Sequence, residues 1–192
     1  MSADPPRSGP PRGSNVLLIG SRGSGKSTVG AALAHRLSWS FVDTDVDIET
    51  RLGLSVREIF ERLGQPAFRQ AESEALERAA AADRTVFSTG GGVVLSAENR
   101  RRLRRAGLCV WLRADADELH RRTARDPRSA ALRPQLTDLD PLDETRHVLE
   151  RRAPLYESVA DASFDTNGRS IERIVSDVFE WVSARIVAER AP

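Results

Sequence analysis

Gly20-Ser21-Arg22-Gly23-Ser24-Gly25-Lys26-Ser27-Thr28 is the stretch that decides the fold. Its first eight residues spell G-x-x-x-x-G-K-[ST]. Asn15-Val16-Leu17-Leu18-Ile19 before it reads as a short buried strand, and residues 26–37 after it read as a helix. A strand, a glycine-rich loop and a helix in that order build a nest of backbone N–H groups at a helix N-terminus, which cradles phosphate. Gly23, Ser24, Gly25 and Thr28 belong to that cradle, Lys26 is placed to reach the β- and γ-phosphates, and the Ser27 hydroxyl is placed to ligate Mg²⁺. The loop predicts a nucleoside triphosphate site.

Outward from the loop, short apolar runs alternate with helical patterns. Strands are expected at 15–19, 40–43, 85–88, 108–112 and 162–165. Helices are expected at 26–37, 45–51, 55–63, 66–82, 96–106, 115–125, 143–152 and 170–188. Ser96 suits an N-cap and Gly107 the residue after the helix between them. Five buried strands alternating with helices predict an α/β fold, a doubly wound parallel sheet in three layers, with the ligand at the strands' carboxyl ends. Residues 1–13 are Pro, Gly, Ser and Arg with little to bury, which predicts a disordered tail ahead of a single domain over 14–192. From 125 to 141 no period is visible. That stretch, with its arginines, is expected to be a lid that clamps phosphate, spanning about 122–141.

Composition narrows the classes. Lys+Arg of 29 against Asp+Glu of 28 leaves a net charge of +1, so bulk charge argues for neither nucleic acid nor membrane. Lys26 is the sole lysine in an arginine-rich chain, so the one lysine stands at the phosphate loop. A single cysteine, Cys109, in an apolar run is expected in the core. No apolar stretch approaches the ~18 residues of a membrane span, and no signal-peptide pattern opens the chain, so the cytoplasm is the expected address. Nothing advertises an interface, so a monomer is expected.

A phosphate loop alone leaves GTPases, transport ATPases and small kinases open. With one lysine, at position 26, an Asn-Lys-x-Asp guanine-reading segment is excluded, and no Leu-Ser-Gly-Gly-Gln segment of transport ATPases is present. A small kinase is favoured, and three clusters offer its acceptor site. Asp43-Thr44-Asp45 follows the second strand. Both carboxylates could face the cleft, one assisting Mg²⁺ and one gripping a hydroxyl, or they could cap the next helix. Arg69 could pair bidentately with an anionic substrate or serve as a solvated helix residue. Ser88-Thr89-Gly90-Gly91-Gly92 follows the third strand and could bring backbone close to a ligand.

Together these residues closely resemble the shikimate kinases. The family's elements occur in order: GSRGSGKST at 20–28, DTD at 43–45, FR at 68–69 with Glu72, STGGG at 88–92, RP at 133–134, RRAPLY at 151–156 and DTN at 165–167. The resemblance runs from about residue 14 to 185. It implies a nucleoside-monophosphate-kinase type of fold, with strand order 2-3-1-4-5. It also implies ATP-dependent phosphorylation of the 3-hydroxyl of shikimate, a step toward aromatic amino acids. Ser27 and Asp43 would hold Mg²⁺, and Asp45 would bind the acceptor hydroxyls and orient the attacking one. Arg69 and Arg152 would clamp the carboxylate while Gly90, Gly91 and Gly92 contact the ring. Arg133 in the lid would act with Lys26 on the transferring phosphoryl group. Arg169, with Arg122, would lie on the nucleotide side, near the adenine contacts expected around 166–169.

Two features depart from the family's pattern: Gln65 stands where Glu is usual, and the lid carries an extra Asp126-Pro127-Arg128. The alternatives are another small-molecule kinase of this fold, such as a gluconate kinase, and a non-catalytic kinase-like regulator. Arg100, Arg101, Arg102, Arg104 and Arg105 are expected to form a solvated helix face rather than a nucleic-acid site. His35, His120 and His147 fall on separate predicted helices without metal-ligand spacing.

Overall fold

Alternate side chains of a strand point to opposite faces of its sheet, so a strand apolar at every position must be covered on both sides. Asn15–Ile19 (β1) is such a strand, and all five of its residues are fully buried. The computed structural model describes residues 15–126 and 140–190. The expected tail and the lid residues 127–139 lie outside the described residues.

Among the described residues, β1 is joined by Ser40–Asp43 (β2), Thr85–Ser88 (β3), Leu108–Arg113 (β4) and Ala162–Asp165 (β5). Every neighbouring pair is parallel, in the order β2-β3-β1-β4-β5. The expected order and strand positions are observed, with β4 one residue longer. The helices are Lys26–Leu37 (α1), Thr44–Leu52 (α2), Val56–Glu58 (α3), Gly64–Ala81 (α4), Ala97–Ala106 (α5), Ala116–Arg125 (α6), Pro141–Glu157 (α7) and Ile171–Arg190 (α8).

The even and odd residues of the central strands divide the core. Val16, Leu18, Val110 and Leu112 face α1 and α8, packing on Leu33 and Val178. Leu17, Ile19, Phe87 and Cys109 face the other layer, where Leu76 of α4, Leu103 of α5 and Tyr156 of α7 meet them. Cys109 is thus a core residue, as expected. A smaller cluster of Ile48, Val56, Ile59 and Phe68 carries α2 to α4, beside the carboxyl end of β2. One buried polar side chain seals the opposite end of the sheet. Asn15 Nδ2 donates to Ala79 O, Ala82 O and Ala106 O at 2.8–3.1 Å, and its Oδ1 accepts from Thr85 N at 3.1 Å. That network ties the ends of α4 and α5 to β1 and β3.

Local caps explain most helix starts. Asp43, Ser96, Asp115 and Asp140 cap α2, α5, α6 and α7 with side-chain oxygens, and Ser55 with Glu58 forms a capping box for α3. The expected helix at 55–63 differs, because α3 passes into a π turn, Ile59–Leu63. Pro66 then sits in the first turn of α4, where its missing N–H leaves no intrahelical bond broken. α7 begins earlier than expected, with Pro141 as its first residue, and runs through Pro154 to Glu157. The packing of Leu155 and Tyr156 into the core outweighs the bond that Pro154 cannot donate.

Candidate active site

The loop between β1 and α1 is braced by its own lysine. Lys26 is buried and donates to Gly20 O at 2.9 Å and Ser21 O at 2.8 Å, with Ser24 Oγ at 3.4 Å. The first turn of α1 holds no acidic residue and no side-chain cap, so its N–H groups and the positive end of the helix dipole face outward. Gly23, Gly25, Lys26, Ser27 and Thr28 line a cavity of about 490 Å³ above the sheet. An anion placed there meets aligned N–H donors and a primary ammonium together.

Asp43 serves both of the roles that its sequence left open. Its Oδ1 accepts from Asp45 N at 3.1 Å and Val46 N at 3.4 Å, capping α2, while Oδ2 accepts from the Ser27 hydroxyl at 2.5 Å. Ser88 Oγ lies 3.1 Å from Ser27 Oγ. The sheet register causes this meeting, since Ser88 is paired with Leu18 of β1 on one side and with Asp43 of β2 on the other. The helix begins at Thr44, so Asp43 and Asp45 are not neighbours on one extended segment. Both nevertheless line the cavity.

The run Ser88–Gly92 is fixed residue by residue. Thr89 Oγ1 donates to Leu18 O at 2.9 Å, and Gly90 N donates to the buried Thr44 Oγ1 at 3.2 Å. The Gly91 carbonyl accepts from Arg152 Nη1 at 3.1 Å and from the Tyr156 hydroxyl. The ends of neighbouring side chains closely approach the α-carbons of Gly90 and Gly92. A Cβ on Gly90 would lie 2.5 Å from Glu72 Oε1 and 3.0 Å from Asp45 Oδ1, and one on Gly92 would strike the guanidinium of Arg69. Arg69 is ion-paired with Glu72, whose carboxylate is almost wholly buried. The expected acceptor residues Asp45, Arg69, Gly90, Gly91, Gly92 and Arg152 are therefore brought together around one loop. Gln65 lies outside the cluster, exposed on α4.

On the nucleotide side, Arg122 of α6 also lines the cavity. Its guanidinium donates to Thr166 O at 2.6 Å, Thr166 Oγ1 at 3.0 Å and Gly23 O at 3.4 Å, which joins the phosphate loop to the β5–α8 connection. Glu118 holds Arg122 in place at 2.7 Å. Hydrogen bonds from Arg121 first, then Arg122, keep the Glu118 carboxyl down at about 2, so it stays charged through the neutral range. Arg169 is not among the residues that line the cavity; it pairs with Asp177 and donates to Asp165 O at 3.2 Å. Arg133 lies outside the described residues. Sequence reasoning did not single out Ser88 or Tyr156. Ser88 had a readable signal, as a hydroxyl at the carboxyl end of a strand expected beside β1.

Four of the five arginines of α5 are engaged with neighbours. Arg100 donates to Val94 O at 2.6 Å, Arg102 pairs with Glu77 at 2.8 Å, Arg101 pairs with Glu98, and Arg104 donates to Ser158 O. Among the described residues, no group of three or more His, Cys, Asp or Glu could hold a metal ion by itself.

The family described as Shikimate kinase matches residues 22–183. A shikimate kinase of Symbiobacterium thermophilum is 41% identical over 173 residues, covering 89% of this chain and 97% of that protein. One from Nitratidesulfovibrio vulgaris is 48% identical over 145 residues, covering 76% and 82%. Among solved structures, the shikimate kinase from Acinetobacter baumannii in complex with shikimate superposes with a TM-score of 0.83 at 32% identity, over 90% of this chain and 94% of that one. A gluconokinase from Sinorhizobium meliloti, with a TM-score of 0.59 at 16% identity over 94% and 99% of the two chains, shares the fold alone.

Proposed function

The chain belongs to the shikimate kinase family, and from that premise we propose that its cavity carries the γ-phosphoryl group of ATP to the 3-hydroxyl of shikimate, giving shikimate 3-phosphate and ADP. The observation that carries the assignment of roles is the convergence of Asp45, Arg69 and Arg152 on the Gly90–Gly92 loop, beside the phosphate loop. A small polyhydroxylated acid asks for guanidinium donors at its carboxylate and a carboxylate at its hydroxyls. A site of that kind discriminates strongly, because a ligand lacking either group leaves buried polar atoms unmatched.

In this reading Lys26 and the N–H groups of Gly23, Ser24, Gly25, Ser27 and Thr28 hold the phosphates. Asp45 grips and orients the attacking hydroxyl and accepts its proton. Arg69, fixed by Glu72, and Arg152 clamp the carboxylate, and the glycine backbone meets the ring. Arg133 acts with Lys26 on the transferring group. Arg122 borders the nucleotide, and Arg169 braces the connection next to it. Transfer through a loose transition state depends on this positioning and charge rather than on covalent help from the protein.

The residues present also fit Mg²⁺. Ser27, Asp43 and Ser88 offer hard oxygen donors at the phosphate end of the cavity, and a cation that keeps several waters needs few protein ligands. Ser27 would hold it directly and Asp43 through water. When bound, Mg²⁺ neutralises charge on the β- and γ-phosphate oxygens. We infer further that the chain is one domain over 14–192 with a lid at about 122–141, acting as a monomer in the cytoplasm on small molecules. No helix among the described residues is long and apolar enough to cross a membrane.

Arg152→Ala tests the clamp. Removing one charged hydrogen-bonding partner of the carboxylate is expected to raise KM for shikimate by about 10- to 100-fold, with KM for ATP little changed. An unchanged KM for shikimate would remove Arg152 from the acceptor site.

A further inference from the structure

The Gly91 carbonyl is held by two side chains of one helix that differ in freedom. Arg152 and Tyr156 stand four residues apart on α7, hence one above the other on the same face. Both donate to the same oxygen, Arg152 Nη1 at 3.1 Å and the Tyr156 hydroxyl at 2.5 Å. Tyr156 is fully buried, and its ring is stacked on Trp111 with centroids 5.7 Å apart and planes at 30°. It belongs to the core layer that includes Ile19, Val93 and Val94. Burial pushes its phenol above the ordinary range, so the hydroxyl keeps its proton and remains a donor at neutral pH. Arg152 is only half-buried, on a long side chain with several donors.

We propose that Tyr156 is a positioning residue for the acid substrate: its hydroxyl holds the Gly91 carbonyl, so that the Arg152 guanidinium can turn to a carboxylate without unpairing that carbonyl. The inference rests on the acceptor reading above. Gly91 is buried, and a buried carbonyl that loses its donor costs more than the bond was worth. Without the hydroxyl, Arg152 is the carbonyl's remaining side-chain donor among the described residues. Binding the acid would then break that bond, or the arginine would stay on the loop and serve the carboxylate poorly. The expected penalty is on carboxylate binding rather than on turnover of bound substrate.

The test is Tyr156→Phe, which keeps the ring and its stacking on Trp111. KM for shikimate is expected to rise roughly tenfold, the size of one neutral hydrogen bond. KM for ATP and the turnover number at saturation should stay within about twofold. For an analogue with a carboxamide in place of the carboxylate, the variant and the wild type should give the same KM, because Arg152 no longer has an anion to turn toward. An unchanged KM for shikimate overturns the inference, as does an equal loss with the carboxamide or a parallel rise in KM for ATP. A second measurement needs no variant. Tyr156 is the chain's only tyrosine, so ¹³Cζ-tyrosine labels this phenol alone. Its resonance should show the hydroxyl still donating after shikimate is added, and loss of that bond on binding overturns the inference. A wild type that fails to phosphorylate shikimate would instead count against the function itself.

Discussion

Asp45→Asn is expected to lower kcat by about 10²- to 10⁴-fold, the range for losing a positioned general base, while ATP affinity changes little. Asparagine has the same shape and still offers an oxygen to a hydroxyl, but it accepts no proton. Asp45 stands in the first turn of α2, with Oδ1 buried against the Gly90 α-carbon. The backbone that fixes it is independent of its charge, since Asp43 receives the Asp45 N–H and Thr44 receives the Gly90 N–H. The fold and the phosphate loop should therefore survive the exchange. Steady-state turnover together with nucleotide titration checks this, and near-normal turnover would take the acceptor role away from Asp45.

Lys26→Ala is expected to reduce kcat by about 10³-fold, in line with removing a preorganised charge from a transferring phosphoryl group, and to weaken ATP binding as well. Two losses combine here. The ammonium is the one lysine charge in the chain, and it also bridges the Gly20 and Ser21 carbonyls, which shapes the loop. The defect should therefore appear in both kcat and nucleotide affinity, unlike that of Asp45→Asn. Lys26→Arg should restore little, because a planar fork cannot meet the convergent carbonyls as a compact ammonium does. Isothermal titration with ATP and single-turnover kinetics separate the two losses. Full activity in either variant would contradict the assigned role.

The parts of this fold that were legible in the sequence are those governed by local rules. Buried parallel strands are short apolar runs with turn residues at their ends, and β1, β2, β3 and β5 lie where that pattern put them. Ser96 caps α5 as its side chain suggested. The phosphate loop is local too, and its residues line the cavity together.

What depended on distant partners was less legible. An extended segment would point Asp43 and Asp45 the same way, whereas α2 begins between them and the cap itself aims Asp43 at Ser27. The course of α7 through Pro154 reflects core packing that no propensity encodes. Tyr156 looks like an ordinary buried aromatic until its hydroxyl is seen on a carbonyl 65 residues away. Arg169, reached only through the resemblance, finds Asp177 two turns along α8 as its partner. Arg122 spans from Glu118, four residues back, to Gly23 and Thr166, and only the first of these contacts follows from helix spacing.

Phosphorylation of shikimate in this cavity is read from ADP release by the purified protein with ATP and Mg²⁺, with shikimate and gluconate offered in parallel. Release that depends on shikimate and is absent with gluconate is the predicted result. Release with gluconate but not shikimate, or with neither acceptor, would contradict it.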